Sequence, residues 1–199
     1  MKTMVCIGDS LTESTEIPTG QAWPALVANA LGLDVINCGI GGDTTQGMLS
    51  RFYPEVVVKK PAFVFIMGGT NDLWWNWEVN TILGNLFSMI VQARHHGMVP
   101  VIGLPTPVNV TAAQANDFSP PQGGYERFTR KMKAMVKDLI RHTSESEVTV
   151  VDLYHPFIKE NGQVRTGLFL PDGLHPNKAG HRTIARATIS AFRQDLNFP

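Results

Sequence analysis

Ser10 can do chemistry only if the chain brings it a base and a place for negative charge. It closes the segment Val5-Cys6-Ile7-Gly8-Asp9-Ser10, an apolar run with the pattern of a β-strand that stops abruptly on a small Gly-Asp-Ser turn. A serine at the carboxyl end of a first strand lies where open α/β sheets place their ligands. Its hydroxyl is a weak nucleophile at neutral pH and needs a general base and an oxyanion site before it attacks a carbonyl. The same three residues are also ordinary strand-exit chemistry, since glycine tolerates unusual φ and Asp and Ser bond to nearby backbone. The partners decide between the two readings.

A base stands near the C-terminus in Asp172-Gly173-Leu174-His175-Pro176-Asn177. A carboxylate three residues ahead of a histidine on a short turn can accept its Nδ1–H, fixing the tautomer so that Nε2 is free to take a proton. The alternatives are a structural Asp–His hydrogen bond or half of a metal site. The other histidines, His95, His96, His142, His155 and His181, form no recognisable ligand pair with His175. Neither H-E-x-x-H nor a close cysteine pair occurs, so a metal hydrolase ranks below a serine hydrolase.

Donors for a developing oxyanion are found after two further apolar runs. Asn37-Cys38-Gly39-Ile40-Gly41-Gly42-Asp43-Thr44 is a glycine-rich turn whose backbone N–H groups can bind negative charge. It departs from the dinucleotide fingerprint at Thr44 and lacks a P-loop lysine, which argues against a nucleotide site. Gly68-Gly69-Thr70-Asn71-Asp72 adds a neutral amide that can donate without binding the substrate as a charge would. Asp9 and Asp72 read as turn-supporting carboxylates.

Elements that would position these groups follow from the patterning. Short β-branched runs alternate with helical patterns, the signature of βαβ units and a parallel sheet. Strands are expected at 3–7, 34–37, 63–67, 99–103 and 148–152. Helical stripes run through Ile82, Leu83, Leu86, Phe87, Ile90 and Val91, and through Phe128, Met132, Met135, Val136 and Leu139. A last helix starts at Asn177 or Lys178 and carries Ala179, Ile184, Ala187, Ala191 and Phe192. Between 104 and 124, prolines at 105, 107, 120 and 121 interrupt any period, and a loop this long reads as a substrate wall, a lid or a mobile excursion.

The 199 residues fit one domain, and 43% hydrophobic content supplies a core. Seventeen basic and seventeen acidic residues cancel, so no global field draws the chain to nucleic acid or an anionic membrane. The expected partner is a small molecule that is not highly charged. Cys6 and Cys38 lie among apolar neighbours and read as free thiols. With no secretory pattern at the start and no apolar stretch near the ~20 residues of a spanning helix, a cytoplasmic location without integral membrane association is expected. No pattern encodes an oligomeric state.

Gly8-Asp9-Ser10-Leu11, Gly41-Gly42-Asp43-Thr44, Gly69-Thr70-Asn71-Asp72 and Asp172-Gly173-Leu174-His175-Pro176 together resemble the four blocks of the SGNH, or GDSL, esterase and lipase family, in the right order across nearly the whole chain. The resemblance implies a flavodoxin-like three-layer α/β/α sandwich with a five-stranded parallel sheet, formed by one catalytic domain over residues 1–199. It also implies a triad of Ser10 as nucleophile, His175 as base and Asp172 as the acid orienting it. The implied oxyanion hole comprises the Ser10 and Gly42 backbone N–H groups and the Asn71 side chain, and no cofactor is implied. Gly42 is chosen over Gly41 because the family pattern places glycine immediately before Asp-Thr. Many members carry glycine two residues beyond Leu-Thr, where this chain has Ser14, which puts the shape of that loop in question.

The expected reaction is two-step acyl transfer from a carboxylic ester, with short acyl or acetyl groups favoured. A lysophospholipase or thioesterase acting on longer chains is the alternative. Other classes are a non-catalytic binding module or a metal-dependent hydrolase on a similar fold. Trp74, Trp75 and Trp77 follow the Asn71 block, where Trp74 and Trp75 are candidates to line an acyl or sugar pocket, or equally a core or oligomer contact.

Overall fold

A strand covered on both faces needs apolar residues without alternation, and Phe63, Val64, Phe65, Ile66 and Met67 are all buried. In the computed structural model, which describes residues 1–14, 16–196 and 198, that run is one of five parallel strands. These are β1 (Thr3–Gly8), β2 (Asp34–Gly39), β3 (Phe63–Met67), β4 (Val99–Gly103) and β5 (Thr149–Val151), in the spatial order β2-β1-β3-β4-β5. Since β2 lies on one side of β1 and β3 on the other, the chain leaves the carboxyl ends of β1 and β3 in opposite directions. That divergence opens a crevice beside Ser10.

Strand parity divides the core into two halves. Val5, Ile7, Val64, Ile66 and Ile102 face α3 (Thr45–Glu55), α5 (Val79–His95) and α7 (Gly124–Glu145). Met4, Cys6, Phe65, Met67 and Val101 face α2 (Trp23–Leu31) and α8 (Lys178–Gln194). The result is the expected three-layer α/β/α arrangement. Two short helices stand at the strand ends, α1 (Ser10–Glu13) after β1 and α4 (Thr70–Trp74) after β3, and α6 (Val110–Ala115) lies within the proline-rich segment.

β3 and β4 match their expected limits. β1 and β2 run on to Gly8 and Gly39, because parallel pairing of Ile7 with Cys38 and of Gly8 with Gly39 continues past the last bulky residues. β5 is shorter than expected at both ends, Thr149–Val151, since the Val148 N–H donates back to the Thr143 carbonyl at the end of α7 and the Asp152 carboxylate turns back to accept the N–H groups of Tyr154 and His155. The α7 stripe is buried throughout. On α5, however, Val91 is exposed and Met89 and Ala93 complete the buried face. The last helix starts as expected, with the Asn177 side chain accepting from the N–H groups of Ala179 and Gly180. Cys6 is buried and Cys38 half-buried, both as free thiols on opposite faces of the sheet.

The segment from 104 to 124 is more built than its composition suggests. Leu104 through Asn109 are buried, and the Asn109 side chain caps α6 by accepting the Ala112 N–H. Asn109 N–H also donates to the Gly173 carbonyl at 2.8 Å, and Asn116 Nδ2 donates to the Pro171 carbonyl at 2.7 Å. The first half of the segment therefore braces the turn that carries Asp172 and His175.

On the other side of the sheet, His181 of α8 is buried and its Nδ1 accepts the Trp23 N–H at 3.2 Å, while Trp23 Nε1 donates to the Leu11 carbonyl at 2.9 Å. Burial, aided by the His175 charge, pushes His181 down to about 4. A folded-state pKa below the unfolded value of 6.5 means that the unfolded chain binds the proton first. The stability His181 contributes is thus present above pH 6.5 and lost as pH falls toward 4. Comparing urea unfolding of the parent with His181→Gln at several pH values isolates this group. The stability difference between them is expected to grow with pH by up to about 3 kcal/mol.

Candidate active site

Strand β1 delivers Ser10 to the crevice through the turn at Asp9. The Asp9 side chain caps α1 by accepting the Leu11 N–H at 3.0 Å, which starts the helix at Ser10. The cost is a buried carboxyl whose other oxygen finds no partner among the described residues. Burial pushes Asp9 up to about 7, assisted by the negative charges of Asp72 and Asp43 and opposed by the Leu11 N–H and by His175. Ser14 ends α1 in the left-handed region at φ 62°, where its hydroxyl donates to the Thr12 carbonyl at 3.2 Å. The glycine-type turn therefore survives at Ser14, because a short polar side chain repays part of the strain with a local hydrogen bond.

His175 Nε2 lies 3.0 Å from Ser10 Oγ, and its Nδ1 lies 2.7 Å from Asp172 Oδ2. The other Asp172 oxygen accepts the N–H groups of Leu174 at 2.8 Å and His175 at 3.0 Å, so the carboxylate is held at three points. Burial works against its charge, but these hydrogen bonds prevail and hold the Asp172 carboxyl below its usual range. Gly173 lies at φ 71°, and a Cβ there would stand 2.4 Å from the Asn109 carbonyl oxygen. Only glycine lets the turn close against its brace.

The second and third blocks meet across the strand ends. Asp72 is fully buried and both its oxygens accept the Thr45 N–H, at 3.1 and 3.0 Å, while the Thr45 hydroxyl donates at 2.5 Å. Burial raises the Asp72 pKa and the Thr45 hydrogen bonds oppose that rise. Asn71 Nδ2 donates one hydrogen to the Asp43 carbonyl at 2.9 Å, which fixes the amide and leaves its second N–H available. Gly42 sits at φ 77° in the turn closed by Asp43 N–H to Ile40 carbonyl, a conformation that disfavours any side chain. Among the described residues the N–H groups of Ser10 and Gly42 find no acceptor.

Two contacts lie beyond the sequence patterns, and one repeated motif is legible in the sequence itself. Arg51 of α3 pairs with Asp43 at 2.8 Å and donates to the carbonyls of Cys38 at 2.7 Å and Gly8 at 3.0 Å, clamping the ends of β1 and β2. Glu16 Oε1 lies 4.0 Å from His175 Nε2. The chain also writes its base motif twice, since Asp152-Leu153-Tyr154-His155-Pro156 repeats Asp-x-x-His-Pro. There His155 Nδ1 lies 2.8 Å from Asp152 Oδ2, with the same pair of backbone N–H bonds to the other oxygen. That copy stands at the sheet edge after β5, remote in order from β1, with its imidazole largely exposed.

Of the two tryptophan candidates, Trp74 packs edge-on against Phe118, Tyr125 and Phe128, and its Nε1 donates to the Ser119 carbonyl at 3.1 Å. Trp75 is exposed. Trp74 thus ties α4 to the proline-rich segment and α7 as a wall. The arrangement as a whole can move a proton from a serine hydroxyl to an imidazole oriented by a carboxylate. No group of His, Cys, Asp and Glu among the described residues is arranged to hold a metal ion. No helix among them is long and apolar enough to cross a membrane.

A sequence profile described as the GDSL-like Lipase/Acylhydrolase family matches residues 6–183. The chain is 29% identical to the protein named uncharacterized lipoprotein YqeF of Bacillus subtilis, covering 91% of this chain and 85% of that one. It is 29% identical to the esterase TesA of Pseudomonas aeruginosa, over 88% and 80% of the two chains, and 26% identical to an acetylxylan esterase of Geobacillus stearothermophilus, over 84% and 74%. In fold it resembles a GDSL-like lipase structure from Bacteroides thetaiotaomicron, with a TM-score of 0.80 at 22% identity over 98% of this chain and 89% of that chain.

Proposed function

Because the chain belongs to the GDSL-like lipase/acylhydrolase family, and is thus an ester hydrolase by kind, we propose that residues 1–199 form one catalytic domain that cleaves short-chain carboxylic esters through a Ser10 acyl-enzyme. The observation that carries this reading is the continuous chain from Ser10 Oγ through His175 to Asp172, at 3.0 and 2.7 Å. Ser10 Oγ attacks the ester carbonyl carbon as Nε2 of His175 takes its proton. Asp172, already accepting from Nδ1, stabilises the imidazolium that forms. The carbonyl oxygen, now negative, is held by the N–H groups of Ser10 and Gly42 and by the second hydrogen of Asn71 Nδ2. Nε2–H then protonates the leaving alcohol, and water, deprotonated by the same nitrogen, releases the acid and restores Ser10.

Asn71→Ala removes one of the three donors and should lower kcat roughly 10²- to 10³-fold. Because Asn71 also fixes the Asp43 carbonyl, the variant's thermal midpoint should be measured beside its turnover. A drop in kcat with the midpoint within a few degrees of the parent is the expected outcome.

The name of the Geobacillus relative and the aromatic wall at Trp74 fit an acetylated carbohydrate, with the exposed Trp75 as a stacking surface. Aryl esters graded from acetyl to decanoyl test it directly. A sharp fall beyond acetyl supports the short-chain reading, whereas activity rising with length favours a thioesterase or lysophospholipase. Labelling of Ser10 by a fluorophosphonate tests the acyl-enzyme, and the absence of labelling would exclude it. A cytoplasmic location belongs to the same proposal. The lipoprotein name of the Bacillus relative sets its alternative, which fractionation of expressing cells distinguishes.

A further inference from the structure

The leaving alcohol must take its proton from His175 Nε2, so its oxygen has to approach that nitrogen to about 3 Å. Glu16 Oε1 already stands 4.0 Å from the same nitrogen. Whatever group the alcohol carries next to its oxygen therefore leaves past a carboxylate. The Glu16 side chain is 37% exposed, and no Lys or Arg pairs with it among the described residues. Glu13, from the same turn of chain, aims its own carboxylate along the rim, with Oε2 2.8 Å from where a Cβ on Gly41 would stand.

The zero net charge of the chain conceals this asymmetry. Arg51, the cation that reaches the ends of β1 and β2, is taken up by Asp43 and Glu55. Among the described residues neither Glu13 nor Glu16 pairs with a lysine or arginine, so the mouth through which the alcohol enters and leaves is locally negative.

Building on the serine esterase reading, we propose that Glu16 is a specificity-determining residue that favours esters whose alcohol part carries a cation, such as an ammonium group, and disfavours those whose alcohol part is anionic. A positive group two or three bonds from the ester oxygen meets the Glu16 carboxylate while the carbonyl rests on the oxyanion donors. A negative group in the same position meets repulsion from Glu16 and from Glu13.

Three acetates of similar shape test the inference: acetylcholine, its uncharged carbon isostere 3,3-dimethylbutyl acetate, and an acetate ester of a hydroxy acid. For the parent, kcat/KM should rank cationic, neutral, anionic. In Glu16→Gln the ratio of cationic to neutral should fall roughly 5- to 50-fold, mainly through KM, and the ratio of anionic to neutral should rise. Since the carboxylate is partly exposed, high salt should compress the parent's ratios toward those of the variant. Ratios that are the same in parent and variant would overturn the role of Glu16 while leaving the esterase reading in place. Failure of the parent to hydrolyse the uncharged acetate would instead strike the esterase reading itself.

Discussion

Ser10→Ala is expected to lower kcat on an aryl acetate by roughly 10⁴- to 10⁶-fold. Without Oγ no acyl-enzyme forms, and only the N–H donors and an imidazole able to activate water remain. The fold should not notice the change, because among the described residues the Ser10 side chain bonds only to His175, and it lies partly exposed at the crevice. Thermal unfolding of the variant should match the parent within a few degrees while the fluorophosphonate label disappears. A variant that hydrolyses the ester as fast as the parent would remove Ser10 from the mechanism altogether.

Asp172→Asn changes one atom and should cost nearly as much, roughly 10⁴-fold in kcat near neutral pH. The asparagine oxygen can still accept the Leu174 and His175 N–H groups, so the turn is kept. Its amide nitrogen, placed where Oδ2 stood, then faces the Nδ1–H of His175, donor against donor. The ring resolves the conflict by moving its proton to Nε2, which leaves nothing at that nitrogen to accept the Ser10 proton. Asp172→Ala makes the useful comparison, since it removes the conflict without supplying the wrong tautomer. In the parent, burial of Asp172 is outweighed by its hydrogen bonds, so its charge persists below the ordinary carboxylate range. A group of that kind contributes stability that is present above its unfolded pKa of 3.8 and lost as pH falls through its lower folded value. The asparagine variant should therefore lose less stability than the parent on acidification, which urea titrations at successive pH values would show.

Legibility in the sequence followed the range of the interactions. Asp172 and His175 are three residues apart, and their mutual hydrogen bond and backbone contacts are fixed by a single turn of chain. The same holds for the Asp9 cap that starts α1 and for the Asn177 cap of α8. The run at β3 announces itself because burial on both faces leaves no polar position in it, and the stripe on α7 because burial on one face imposes a period. Val91 shows the limit of that rule, since the width of the buried arc on α5 depends on which neighbours cover it. The proline-rich segment escaped for a related reason. Its order comes from burial of Leu104 through Asn109 and from hydrogen bonds to Pro171 and Gly173, none of which leaves a local period.

By itself, the sequence determined the chemical parts: a serine on a strand-exit turn, glycine N–H donors, an amide, and an Asp-x-x-His pair whose geometry is local. It wrote that pair twice, at 152–155 and at 172–175, with nearly the same internal distances. Only the tertiary structure decided which copy meets Ser10, across 165 residues of chain. It did so because strand order sets what shares a sheet edge: β5 ends at the rim of the sheet, whereas the turn at 171–175 is carried back over β1 and braced there by the segment after β4. The same folding set Glu16 beside Nε2 of His175, a contact that no spacing rule contains, because nothing local relates a surface glutamate to a histidine so far along the chain.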